Sequence, residues 1–238
     1  MKDLGKIFLL GVGITNASKH EILEFIYTGL QNSDKKFYIV TPNPELLVIA
    51  QEDREYKSIL NNAKIALPDG TGVILASKLV SRPLKTRIAG IDFMESLCEY
   101  VSKRPITVSF LGGGPTIAEK TAECLRKKYP GLKISWFSQD FKDSLSSKKT
   151  DILFVALGSP KQEVWISKNI QNLNAKVVMG VGGSFDFISG EVVRAPRFLQ
   201  NLGLEWLFRL ITQPWRIRRQ FSLIKFVLLV IKEKFKLG

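Results

Sequence analysis

Residues 152–182 read ILFVALGSPKQEVWISKNIQNLNAKVVMGVG. An apolar run, Ile152–Leu157, meets the turn Gly158-Ser159-Pro160. A segment with helical periodicity follows at Pro160–Gln171, and a second β-rich run, Val177–Val181, enters another glycine turn. Strand, turn, helix and strand at this spacing make a βαβ unit with parallel strands. Both runs are almost continuously apolar, as expected of strands covered on both faces.

The same alternation extends in both directions. Further strand-like runs are Ile7–Val12, Phe37–Val40, Ile65–Leu67, Ile106–Leu111 and Ile134–Phe137. Helical periodicity fills Lys19–Leu30, Pro44–Asn61, Thr71–Leu79, Asp92–Lys103 and Pro115–Tyr129. The expected fold is α/β: a Rossmann-like, mainly parallel sheet with helices on both faces. Lys2 and Lys6 ahead of the apolar run Ile7–Ile14 imitate a signal peptide, but the run is short, holds Gly11 and Gly13, and no small-residue cleavage site follows. It is read as the first strand. The polar cluster Lys142–Lys149 is read as a surface loop. After Gly190 the pattern turns helical, with Pro196 near one start and Pro214 as a break. The expected division is an α/β core at 1–190 and a helical appendage at 191–238.

Composition removes several classes of function. Two cysteines, Cys98 and Cys124, make neither a disulfide framework nor a Cys₄ zinc site. One histidine, His20, excludes multi-His metal centres and leaves a Ser-His-Asp triad resting on a single residue. No G-x-G-x-x-G fingerprint and no P-loop is present, against dehydrogenase and NTPase readings. The 35 Lys and Arg residues outnumber 22 Asp and Glu, a net charge of +13. From Val192 onward there are ten cations against Glu205 and Glu233, so +8 of the +13 lies in the last fifth of the chain. A nucleic-acid binder would spread its charge more evenly, and no nucleic-acid partner is expected. The segment Trp215–Leu237 interleaves Phe221, Ile224, Phe226, Val227, Leu228 and Ile231 with cations. At helical spacing Arg218, Ser222, Lys225, Lys232 and Lys236 share a face interrupted by Leu229. A basic amphipathic helix with Trp206 and Trp215 as anchors fits an anionic membrane surface, and a docking helix between core or subunits is the other reading. No stretch reaches the ~18 apolar residues of a membrane span.

Ligands of open α/β sheets bind beyond the carboxyl ends of the strands. Here those ends carry Thr41-Pro42-Asn43-Pro44-Glu45, Pro68-Asp69-Gly70-Thr71-Gly72, Gly112-Gly113-Gly114-Pro115, Gly158-Ser159-Pro160-Lys161-Gln162-Glu163 and Gly182-Gly183-Ser184-Phe185-Asp186. The triple glycine before the Pro115 helix looks like the best phosphate cradle. Asp69 is either a cap for the helix at Thr71 or a general base. Asp92 is placed to cap its own helix. Thr41, Asn43 and Gln162 suit hydrogen bonding to a sugar or the capping of turns; Arg87 suits a phosphate or a surface acid.

Together these residues resemble the WecG/TagA/CpsF glycosyltransferase family. The carriers are the first, second and fourth of those strand-end motifs, Gly182-Gly183-Ser184-Phe185-Asp186-Phe187, Arg87-x-x-Gly90-x-Asp92, Arg194-Ala195-Pro196, Gly203-Leu204-Glu205-Trp206 and Arg209-Leu210. Gln213 stands where an acidic residue is expected. The resemblance implies an inverting glycosyltransferase that takes a sugar from a UDP-sugar to an undecaprenyl-diphosphate-linked sugar. It is expected to need neither metal nor other cofactor, and to lie at the inner face of the cell membrane as a peripheral cytoplasmic protein. In the TagA branch the donor is UDP-N-acetylmannosamine and the acceptor N-acetylglucosamine-diphosphate-undecaprenol, in wall teichoic acid synthesis. The resemblance assigns Asp69 as catalytic base, and Thr41, Asn43, Arg87 and Gln162 as substrate-binding residues. Arg209, Arg216 and Arg219 would engage the lipid diphosphate. A different donor, UDP-ManNAcA or UDP-glucose, and a non-catalytic peripheral membrane module are the alternatives; pairing of subunits through the appendage is open.

Overall fold

The computed structural model describes residues 4–32, 35–141, 146–214 and 217–237. Trp215, Arg216 and residues 142–145 of the expected surface loop lie outside these, as do the side chains of Arg218 and Arg219. The chain opens with β1 (Lys6–Leu9) and β2 (Val12–Thr15), then α1 (Lys19–Asn32), β3 (Phe37–Val40), α2 (Pro44–Glu52), α3 (Arg54–Asn62), β4 (Ile65–Ala66) and α4 (Thr71–Leu79). It continues through α5 (Gly90–Ser102), β5 (Thr107–Gly112), α6 (Ile117–Lys128), β6 (Lys133–Ser138), β7 (Thr150–Ala156), α7 (Lys161–Asn169), β8 (Ala175–Gly180) and α8 (Ser184–Ile188). The C-terminal helices are α9 (Arg197–Asn201), α10 (Glu205–Thr212) and α11 (Ile217–Leu237).

Six strands form one sheet in the order β4-β3-β8-β7-β5-β6, and every pairing is parallel. Side chains alternate across it: Leu153 and Val155 of β7 enter one core, Ile152, Phe154 and Ala156 the other. The first core is closed by α2, α3, α4, α7 and α11, the second by α1, α5, α6 and α8. The α/β sheet covered on both faces is thus as expected. Glycine is obligatory at 112, where φ is +99° and a Cβ would stand 2.3 Å from the Ala156 carbonyl oxygen.

Two elements differ from the sequence reading. The run Ile7–Val12 is not a strand of the main sheet. The chain reverses at Leu10 and Gly11, both at positive φ (53° and 72°), giving an antiparallel hairpin of β1 and β2. Two consecutive left-handed residues are what a two-residue hairpin turn requires, and the apolar run hid them. The hairpin lies beside β4, where Thr15 Oγ1 accepts the Ala66 N–H at 2.9 Å. Pro44–Asn61 is two helices, because Asp53 is extended (φ −121°, ψ 109°) and its carboxylate accepts the Tyr56 N–H, capping α3. An interior Asp competes for backbone donors in this way.

Helix α11 docks on α2 and α4. Phe226 and Val230 are buried in the same core as Val40 and Leu46. Leu229 also packs there, so it belongs to the docking stripe. The Glu233 carboxylate accepts the Leu10 N–H (2.9 and 3.1 Å), tying the helix to the hairpin turn. On the other side of the helix Phe221, Ile224, Val227, Leu228 and Phe235 are exposed.

Phe226→Ala is expected to cost about 3 kcal/mol, the usual loss for emptying an aromatic site in a core. Phe221→Ser, on the exposed side, is expected to stay within about 0.5 kcal/mol. Urea unfolding of the two variants checks this; equal losses would show that α11 does not dock as described.

Candidate active site

The edge strand β4 ends two residues before Pro68-Asp69-Gly70, and this turn is pinned from both sides. The Asp69 N–H donates to the Pro42 carbonyl (3.1 Å), and the Pro68 carbonyl accepts from the Ile88 N–H (3.0 Å). Asp69 does not cap the helix at Thr71. The residue ahead of α4 is Gly70, at φ +89°, and no side chain caps that helix. The Asp69 carboxylate instead accepts the N–H of Gly90, the first residue of α5. Thr41 closes the corner, since a Cβ on Gly90 would stand 3.0 Å from Thr41 Cγ2. The ends of β3 and β4 and the start of α5 therefore meet at one carboxylate.

Its surroundings push that carboxyl up. Loss of water on burial is the main cause and the charge of Glu205 adds to it; the Gly90 N–H, Arg87 and Arg209 oppose it. The balance raises Asp69 from 3.8 to about 6. A carboxylate of this kind is a stronger base than an exposed one while remaining ionised at neutral pH.

The cations come from far along the chain. Arg87 donates from Nη1 to the Gln200 carbonyl (3.2 Å), which ties the loop before α5 to α9. Arg209, on α10, lies with its guanidinium 4.9 Å from the centre of the Phe187 ring. It also lies over Gly183, where a Cβ would be 3.7 Å from Nη2. Arg194 grips Asp92 with two bonds (2.5 and 3.0 Å) and stands 3.8 Å from Glu205. Asp92 thus clamps α5 to the C-terminal segment and does not cap its own helix, whose N-cap is Ala89.

Thr41, Asp69, Arg87 and Arg209 are brought together. Asn43 sits beside them in the chain, with its Oδ1 accepting the Leu46 N–H (3.1 Å) as the cap of α2. Gln162 is fully buried in the first turn of α7, with its amide turned into the protein. Arg216 and the Arg219 side chain lie outside the described residues. The triple-glycine turn is distant: β5 is four strand positions from β4, about 19 Å at the usual spacing. The Gly182–Ser184 turn after β8 is two positions away, about 10 Å, and is the one on which Arg209 rests. A hollow of about 300 Å³ lies behind Phe187 and Arg194, walled by Ile91, Glu95, Cys124 and Leu125; Asp69 is not part of it. Among the described residues no three His, Cys, Asp or Glu side chains gather closely enough to hold a metal ion.

Sequence reasoning gave no role to Gly90, Glu205 or Arg194. Each appears in the quoted motifs, and the signal available was charge: Glu205 is one of only two acids in a strongly basic segment. Periodicity does not show that it faces Asp69.

Residues 7–238 match the model of a family described as "Glycosyl transferase WecG/TagA/CpsF family". Three relatives carry the name N-acetylglucosaminyldiphosphoundecaprenol N-acetyl-beta-D-mannosaminyltransferase. That of Bacillus spizizenii is 38% identical over 210 residues, covering 85% of this chain and 82% of its own. That of Bacillus subtilis is 37% identical over 204 residues, covering 82% and 79%. That of Staphylococcus aureus is 33% identical, covering 99% and 96%.

The raised carboxyl has a cost in stability with a definite sign. Asp69 holds its proton to about pH 6 in the folded chain but only to about pH 4 when unfolded. Between these values the native state binds more protons, so this group's contribution falls as pH rises and is level above pH 6. Asp69→Asn keeps an acceptor for Gly90 and removes the charge. The variant is expected to be more stable than wild type by about 1–3 kcal/mol at pH 7.5, with the difference gone near pH 4. Denaturant unfolding of both proteins across that range is the check; a variant no more stable at pH 7.5 refutes the account.

Proposed function

The chain belongs to the WecG/TagA/CpsF glycosyltransferase family, and from that membership we propose that it moves N-acetylmannosamine from its UDP-linked form to N-acetylglucosamine-diphosphate-undecaprenol with inversion. That is the activity named for the relatives that align with most of its length. The residue roles follow from the site. Asp69 takes the proton of the acceptor hydroxyl as that oxygen attacks the anomeric carbon. The bond from that carbon to the donor's diphosphate oxygen breaks, and the electron pair leaves with UDP. One base suffices for an inverting step and typically contributes 10²–10⁴-fold. Charge then accumulates on phosphate oxygens, where Arg87 and Arg209 oppose it. Thr41 and Asn43, at the end of β3, present polar groups to the sugars. Arg216 and Arg219 are assigned to the lipid diphosphate from the family resemblance. The observation that carries the reading is the Asp69 carboxylate at a strand end, held by the first N–H of α5 with two arginines acting on it.

The acceptor's lipid places the reaction at a membrane surface. None of the described helices is long and apolar enough to cross a membrane. In our reading residues 1–190 are the catalytic core, and 191–238 form an appendage that lies on anionic lipid at the inner face of the cell membrane. Phe198, Leu202 and Ile211 of the same appendage are also exposed, and the cations of this segment suit lipid headgroups. The appendage also completes the site, because Glu205 and Arg209 come from α10.

Purified protein with UDP-N-acetylmannosamine and a short-chain acceptor is expected to form the disaccharide lipid. Asp69→Asn is expected to lower kcat at least about 100-fold. The wild-type kcat/KM is expected to rise with pH through about 6 as Asp69 ionises. Undiminished turnover in the variant overturns the assignment of the base. The full chain is expected to float with vesicles containing phosphatidylglycerol and to be released by molar salt, which shortens the Debye length to about 3 Å. Phe221→Ser combined with Phe235→Ser is expected to reduce the bound fraction. Flotation unaffected by lipid charge and by the double substitution would remove the membrane role of α11.

A further inference from the structure

A chain of buried polar groups runs beneath the site without touching Asp69. It starts on α3, where the Tyr56 hydroxyl donates to Glu163 Oε2 (3.3 Å). The other carboxylate oxygen, Oε1, accepts from the Ser159 hydroxyl (2.8 Å) and from Gln162 Nε2 (2.8 Å). Gln162 Nε2 also donates to Ser159 Oγ (3.0 Å), and Gln162 Oε1 accepts the Gly182 N–H (2.9 Å). Glu163 and Gln162 have no exposed surface, and Tyr56 is 2% exposed. Both amide hydrogens of Gln162 are thus engaged inside the protein. The fit is close: a Cβ on Gly180 would stand 2.9 Å from Gln162 Nε2.

A buried carboxylate with three donors is costly to assemble, and an apolar core would fill the space more simply. Its far end shows what it holds. Gly182 opens the turn Gly182–Ser184, and Ser184 is itself anchored by its hydroxyl to the Val181 carbonyl (2.6 Å). Gly183 and Phe187 then make the surface on which the Arg209 guanidinium lies. Below, Phe185 is fully buried with its ring 5.8 Å from that of Phe110. The turn is fixed from the core side by Phe185 and from the side of α7 by Gln162.

We propose that Tyr56, Glu163 and Gln162 form a brace that holds the Gly182–Ser184 turn beneath Arg209. Gln162 and Glu163 are then positioning residues for transfer, not groups that touch a substrate. This rests on the reading of Arg209 as a diphosphate-binding residue. Through the brace, the first turn of α7 and the end of β8 move as one body, and the guanidinium is presented at a fixed height beside the base.

The test compares Gln162→Met, Glu163→Gln and Gly180→Ala in the full-length protein. Gly180→Ala crowds the Gln162 amide while removing no polar group, and serves where a polar substitution prevents folding. Amide hydrogen exchange is followed over residues 180–186, and KM and kcat are measured for UDP-N-acetylmannosamine and the short-chain acceptor. Each variant is expected to exchange faster across this segment. Each is also expected to raise by about tenfold the KM that Arg209→Lys raises, with a smaller change in kcat. Gln162→Met combined with Arg209→Lys is expected to cost less than the product of the two alone. Exchange at the wild-type rate overturns the brace. Faster exchange with unchanged kinetics overturns its part in transfer, as does a Glu163→Gln protein with wild-type KM beside an impaired Gln162→Met, the pattern of direct substrate contact. A wild-type protein that makes no product from any UDP-sugar refutes the proposed function, and the exchange rates still decide whether the brace exists.

Discussion

Parallel pairing is the constraint on which the molecule depends. Strands β3, β8, β7 and β5 run the same way, so none can be joined to its neighbour by a hairpin. Each needs a crossover helix, and the helices must cover both faces because each strand sends alternate apolar side chains to each side. All the strand ends then lie along one edge. Turns of unusual chemistry, such as Pro68-Asp69-Gly70 and Gly182-Gly183-Ser184, then share that edge whatever their distance in sequence, and strand order decides which of them come close.

At that edge the fold accepts local instability. Asp69 is half-buried and set near Glu205, both of which raise its carboxyl. Folding alone would favour a neutral residue there. The Gly90 N–H and the two arginines bring the carboxyl back to about 6, inside the range where it is charged at neutral pH and still takes a proton readily. The clamp of Arg194 on Asp92, with Glu205 nearby, fastens α5 to the segment that supplies Arg209. Asp69 and the arginines therefore belong to one connected arrangement.

The last helix is apolar on two sides. Phe226, Leu229, Val230 and Glu233 turn α11 to the core and the hairpin, while Phe221, Ile224, Leu228 and Phe235 turn away. A helix with apolar residues on two sides has a second partner to satisfy. The sequence showed the cations and the aromatics but not which side docks. Leu229 looked like a flaw in a polar face, and it is part of the docking stripe.

The sequence by itself determined the class of fold and the position of each main-sheet strand, because apolar runs and the turns between them are local signals. It also brought Asp69 to notice, through the Pro and Gly that flank it at a strand end. It did not reveal the hairpin, since an unbroken apolar run conceals a reversal at Leu10 and Gly11. It did not separate α2 from α3, since the break depends on a single Asp side chain. Only the tertiary structure decided that Asp69 bonds to α5 rather than α4, that Glu205 and Arg209 face it, and that Gln162 looks inward. Each of these is a contact between distant segments, set by strand order and by the packing of helices on the sheet. Periodicity records which side of an element is apolar; it carries no information about which other element comes to lie against it.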